Sequence, residues 1–169
     1  MMRFILTITL FSLFSFQTRA DLSRFFSEAD NFFKKYVNAN GVNYEMVKKN
    51  FAQIDALYAQ IGAVRLAGAN NSEKKAFYIN AYNLIVIHRI STKYPIASPM
   101  DDAGFFDKIK HNVASEQLTL NQLEKEKLLA PYQDARIHFV LVCAAKSCPP
   151  LANFAFMPQD LESQLDTRT

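Results

Sequence analysis

The side chains able to do covalent chemistry cluster near the end of the chain. The segment Arg136-Ile-His-Phe-Val-Leu-Val-Cys-Ala-Ala-Lys-Ser-Cys-Pro-Pro-Leu151 holds both cysteines, Cys143 and Cys148, and one of three histidines, His138. Three uses of this set are open. One thiol acts as a nucleophile, which needs a base or a positive field to form the thiolate. Alternatively, the cysteines pair in a disulfide closing a small loop, a spacing that geometry permits. In the third use they join His138 around a metal, but the spacing matches no standard zinc pattern, so no metal and no cofactor is expected.

The run Ile137 to Cys143 has the look of a β-strand. Alternation then points His138, Val140 and Val142 to one face and Ile137, Phe139, Leu141 and Cys143 to the other. That separates His138 from Cys143 and favours Cys148 as the nucleophile, with His138 as its base. Lys146, or a helix opening at Pro149, would supply a positive field. Glu124, Glu126 and Asp134 are the carboxylates available to orient the imidazole, as the third group of a triad does. A core histidine bonded to a backbone carbonyl is the structural counterpart of this reading.

A second set lies on the strongest helical pattern, Glu73 to Ile90, which Ser72 is expected to cap. Asn80 and Asn83 share one face of it. Asparagine is a poor helix-interior residue, so two in an apolar helix call for partners. They either orient the histidine and hold a substrate's polar group, or brace a neighbouring loop. His88 is expected to interact with the helix C-terminal dipole, and His111 to be solvated.

Other elements must carry these residues. Asp21 to Val37 is an amphipathic helix with Leu22, Phe25, Phe26, Ala29, Phe32, Phe33 and Tyr36 at helical spacing. Asn40-Gly41 is a turn leading through Val42-Asn43-Tyr44 into a second helix that runs to Ile61. Phe105 to Val113 is expected to be extended, with a turn at Ala114-Ser115-Glu116. Thr119 caps a short helix to Leu129, and a last helix starts near Pro158. Helices first, then a small, mainly antiparallel sheet, give an α+β fold.

The first twenty residues have the form of a secretory signal. Arg3 leads into the apolar run Phe4 to Phe16, and Thr18-Arg19-Ala20 ends it, with cleavage expected after Ala20. Residues 21–169 then form one domain without a membrane span. Without Arg3 and Arg19 the formal net charge drops from +3 to about +1. No Lys/Arg stripe argues for nucleic acid, so the expected partner is a small molecule or a peptide. Export, to the periplasm or the medium, would let the cysteines pair.

Phe77-Tyr-Ile-Asn-Ala-Tyr-Asn83, Leu118-Thr-Leu-Asn-Gln-Leu-Glu124, and Asp134-Ala-Arg-Ile-His-Phe139 through Cys148-Pro-Pro-Leu151 together resemble the domain-of-unknown-function 547 family (DUF547). Val42-Asn-Tyr44 fits its usual entry, and the resemblance spans about residues 40 to 165. It implies an exported protein, and it groups Asn80, Asn83, Glu124, His138, Cys143 and Cys148 as one constellation. Two positions depart from the family pattern: Lys125 stands where His is frequent, and Ala145 where Ser is frequent. Typical members continue beyond the equivalent of Thr169, so the chain is expected to be a C-terminally truncated fragment. The functional expectation is a cysteine-centred hydrolase or acyltransferase with a papain-like or transglutaminase-like site. Its alternative is a non-enzymatic envelope binding module with a structural Cys143–Cys148 disulfide.

Overall fold

The computed structural model describes residues 21–142 and 150–168, so the segment expected to be a signal and both cysteines lie outside the described residues. Helix α1 (21–36) buries all seven residues of its apolar stripe. A two-residue antiparallel pair follows, β1 (Val37–Asn38) with β2 (Gly41–Val42), turned at Asn40-Gly41. Helices α2 (Tyr44–Lys49) and α3 (Phe51–Ala63) come next. The long helix α4 (Asn71–Lys93) then runs through the centre of the molecule.

Helix α4 is apolar nearly all round its middle, as a helix enclosed by others must be. Every residue from Lys75 to Ile87 is buried. It packs against α2, α3 and a π-helix described below. Phe77 meets Phe25 of α1 with ring centroids 5.1 Å apart. The helix starts two residues before the expected place. Asn70, not Ser72, is the cap, because the Asn70 side chain accepts from Glu73 N–H while the Glu73 carboxylate accepts from Asn70 N–H. This reciprocal pair satisfies two amides that the first turn would otherwise leave unbonded.

The second sheet is the hairpin β3 (His111–Val113) and β4 (Glu116–Leu118), with His111 opposite Leu118. Ala114 and Ser115 make its turn at positive φ, 47° and 71°. That is the sense of turn matching strand twist. The expected extended stretch from Phe105 is thus shortened, since residues 102–108 are bends and turns. His111 is buried rather than solvated, because alternation on β3 turns His111 and Val113 inward. Thr119 caps α5 (Leu120–Gln122), which continues as a π-helix, Leu123–Leu129, and ends in α6 (Ala130–Tyr132). Helix α7 (Leu161–Asp166) completes the described chain. The fold is α+β, with two small antiparallel sheets. Among the described residues, no helix is long and apolar enough to cross a membrane.

The stretch expected as the best strand is not one. Ala135–Phe139 is a 3₁₀ helix, with Asp134 accepting from Arg136 N–H at its start. Ile137, Val140 and Leu141 are buried and His138 and Phe139 exposed, which is helical spacing rather than alternation. An uninterrupted apolar run has no period to separate the two. The predicted separation of His138 from Cys143 by strand alternation falls with the strand. Nor is there a helix at 150–157, so the expected helix from Pro149 does not extend into the described residues.

Two substitutions gauge these terms. Phe25→Ala, at a residue with no exposure, should cost about 3–5 kcal/mol. Asn70→Ala should cost about 1 kcal/mol. Urea denaturation followed by circular dichroism measures both.

Candidate functional site

His138 sits on the 3₁₀ helix and projects from it, with 59% of its side chain exposed. The carboxylate facing it is Glu124, with Oε1 3.7 Å from His138 Nδ1. That is ion-pair reach, and longer than a hydrogen bond. Catalytic contacts are often this loose before substrate binds. Glu124 is carried by the π-helix, in which Ala130 N–H bonds to Lys125 C=O, five residues back. Single π turns are rare and concentrate at functional sites. Glu124 also faces Tyr82 of α4. Burial, and then the Glu124 charge, hold the Tyr82 phenol well above its ordinary pKa, so it stays protonated.

The other two carboxylates considered as orienters are elsewhere. Glu126 is exposed on the π-helix. Asp134 lies in an ion cluster: Lys75 Nζ is 2.5 Å from its Oδ2, and Arg136 bonds both its oxygens. Arg136 also pairs with Glu162 at 2.5 Å, tying α7 to the turn before His138. Hydrogen bonds from Arg136, then from Lys75, hold the Asp134 carboxyl well below the usual carboxylate range.

Asn80 and Asn83 grip backbone. The Asn83 amide Nδ2 donates to Val140 C=O at 2.9 Å, and its Oδ1 accepts from Val142 N–H at 2.9 Å. Asn80 does the same at Phe156: Nδ2 donates to Phe156 C=O at 2.8 Å, and Oδ1 accepts from Phe156 N–H at 2.9 Å. Its second amide hydrogen goes to Ala76 C=O at 2.9 Å. Each carboxamide acts as one residue of a strand, offering a donor and an acceptor side by side. Both are essentially fully buried, where unpaired amides would be costly. Since Asn80 spends both donors on backbone, Glu124 is the one of the two proposed orienters that faces His138. The clamped residues, Val142 and Phe156, stand on either side of the segment containing Cys143 and Cys148.

The groups that reinforce the second clamp carry no signal in the sequence. Asp30 of α1 accepts from Ala155 N–H at 3.1 Å. Gln164 of α7 donates to Ala155 C=O at 3.1 Å and accepts from Met157 N–H at 2.7 Å. Both are polar residues inside amphipathic patterns, where nothing distinguishes them from solvated positions. His88 is placed differently from expectation. It stacks on Tyr58 with centroids 4.1 Å apart and bonds Asp55 Oδ1 through Nε2 at 3.1 Å. Those partners on α3, rather than the helix terminus, fix it.

Asn83→Ala strips partners from a buried C=O and a buried N–H at once. It should cost about 2–4 kcal/mol, because each orphaned group keeps its desolvation penalty. Asn83→Asp retains the acceptor for Val142 N–H but turns an oxygen toward Val140 C=O, and should lose a similar amount at neutral pH. Chemical denaturation of the two variants reads both values.

No curated protein and no solved structure matches the chain. A family model described as "Protein of unknown function, DUF547" matches residues 66–169, more than half of the chain. The matched span holds both asparagine clamps, Glu124, His138 and the two cysteines, and leaves out α1 to α3 and the Val42–Tyr44 entry. With its motifs in order along that span, this chain belongs to the DUF547 family.

Proposed function

We propose that the chain is an exported thiol acyl-transfer protein, with Cys148 as nucleophile, His138 as base and Glu124 as the group that orients the base. The observation that carries this reading is the Glu124–His138 contact. A carboxylate facing Nδ1 at 3.7 Å favours the ring orientation that leaves Nε2 for the thiol. The same arrangement lowers the energy of the imidazolium that forms when the thiol gives up its proton.

The chemistry is that of a thiol-centred triad. Cys148 Sγ gives its proton to His138 Nε2 and attacks the carbonyl carbon of an ester or amide. The tetrahedral intermediate collapses as His138 returns the proton to the leaving alcohol or amine, and a thioester remains. Water, or an amine or alcohol acceptor, then loses a proton to His138 and attacks the thioester, releasing the acyl group and the thiol. Water as acceptor makes the protein a hydrolase, and an amine or alcohol makes it an acyltransferase. Cleavage of the signal after Ala20 would deliver the 21–169 domain to the periplasm or the medium. There it acts on a small molecule or a peptide, without a cofactor or metal. Asn83 supports the reading by fixing the backbone that enters the cysteine segment.

The test uses the 21–169 protein, purified reduced and alkylated with iodoacetamide across pH 5–9. Cys148 is expected to react at pH 6 at least about tenfold faster than free cysteine, as a thiolate with a depressed pKa does. Glu124→Gln should slow that reaction by roughly tenfold or more while the fold survives. Cys148→Ser should abolish the fast phase, and Cys143→Ser should leave it. Absence of any free thiol in protein purified under air, with no fast phase after reduction, would favour the binding module closed by a Cys143–Cys148 disulfide.

A further inference from the structure

The buried histidine of the hairpin stands apart from the groups used so far. His111 is 4% exposed, and its Nδ1 lies 2.9 Å from the Tyr58 hydroxyl. Among the described residues, its buried Nε2 has no hydrogen-bond partner. Whichever ring nitrogen carries the proton in the neutral form, the doubly protonated ring would have an N–H with nothing to bond.

The neighbours make that ring harder still to charge. Tyr58 faces it from α3, and Arg89 and His88 act on it from α4. Asp55 is engaged by His88, and Arg89 is held in a bidentate pair with Asp102 at 2.5 and 3.0 Å. On its own hairpin the cross-strand partner is Leu118, Lys110 precedes it, and Glu116 is paired with Lys127. Among the described residues, no carboxylate is in hydrogen-bond contact with His111.

Backbone bonds also fasten the hairpin to α3, and Arg65, just beyond α3, donates to the Ser115 hydroxyl. Ala114 N–H bonds to Ile61 C=O at 2.8 Å, and Ser115 N–H to Gly62 C=O at 3.2 Å. Gly62 admits Asn112, since a Cβ there would lie 2.7 Å from Asn112 Nδ2. We propose that the Tyr58–His111 contact is an acid-sensitive latch, which holds the β3–β4 hairpin on α3 and releases it when the His111 ring takes a second proton. The latch stands independently of any thiol chemistry, although β4 leads directly into the Thr119 cap and the helix bearing Glu124.

The direction follows from linkage. Burial, then the charges of Arg89 and His88, lower the His111 pKa to about 4, from 6.5. The released hairpin therefore binds the proton more tightly than the docked one. Opening grows as pH falls below about 6.5 and levels off near 4. Between pH 7 and pH 5 these values raise the opening equilibrium about twentyfold.

Hydrogen exchange at the Ala114 and Ser115 amides of the 21–169 protein tests the latch, with rates corrected for the intrinsic pH dependence. Protection should fall about twentyfold from pH 7 to pH 5 in the wild type, and stay within about twofold in His111→Gln. Unchanged protection in the wild type, or an equal acid response in His111→Gln, would overturn the proposal. Should that variant not fold, an NMR titration of the wild-type His111 ring replaces it. Ring protonation in step with loss of hairpin protection supports the latch, and hairpin opening with the ring still neutral refutes it.

Discussion

Two side-chain amides on one buried helix hold the backbone on either side of the segment that bears both cysteines. Asn83 pairs with Val140 and Val142, and Asn80 with Phe156, so α4 serves as a strand edge without being a strand. A helix interior normally offers no backbone bonds to its neighbours. The irregular segments packed on α4 need such bonds, because their carbonyls and N–H groups are removed from water. Supplying them from carboxamides lets an apolar helix carry a loop at a fixed height. The clamps are also specific: in each, a donor and an acceptor must fit together.

Around this grip the other parts take defined places. The ion cluster of Lys75, Asp134 and Arg136 sets the turn from which His138 projects, and Glu162 extends it to α7. The π-helix brings Glu124 to within 3.7 Å of the same imidazole. The histidine and the carboxylate facing it thus lie on two elements close in sequence, the 3₁₀ helix and the π-helix, and the π-helix packs against α4. The geometry is that of an oriented base at the mouth of a held segment. The proposed thiol acyl transfer draws on this placement of His138 beside Glu124.

Much of this was legible in the sequence for physical reasons. The aromatic stripe of α1 and the Thr119 cap follow from spacing and hydrogen-bond chemistry, and both are present. Asn80 and Asn83 were conspicuous because an amide inside an apolar helix needs partners; which partners was not legible, since both lie more than fifty residues along the chain. Residues 136–142 misled because a 3₁₀ turn, and the Asn83 side chain at Val140 and Val142, take the place of a neighbouring strand. Propensity describes pairing with another strand and has no expression for pairing with asparagine. His111 misled for a related reason. Its short strand is flanked by Lys110 and Asn112, so local polarity suggested solvent, whereas the pleat turned it inward. Glu124 was one of three candidate carboxylates, and only tertiary packing distinguished it from Glu126 and Asp134.

The central claim is that the clamped segment presents a thiol to a histidine oriented by Glu124. A crystal structure of the reduced 21–169 protein, locating the Cys148 sulfur, tests it most directly. Cys148 Sγ should lie within about 4 Å of His138 Nε2, with Glu124 facing Nδ1 and Asn83 still bonded to Val140 and Val142. A Cys148 sulfur turned away from the imidazole, or bonded to Cys143 under reducing conditions, would contradict it.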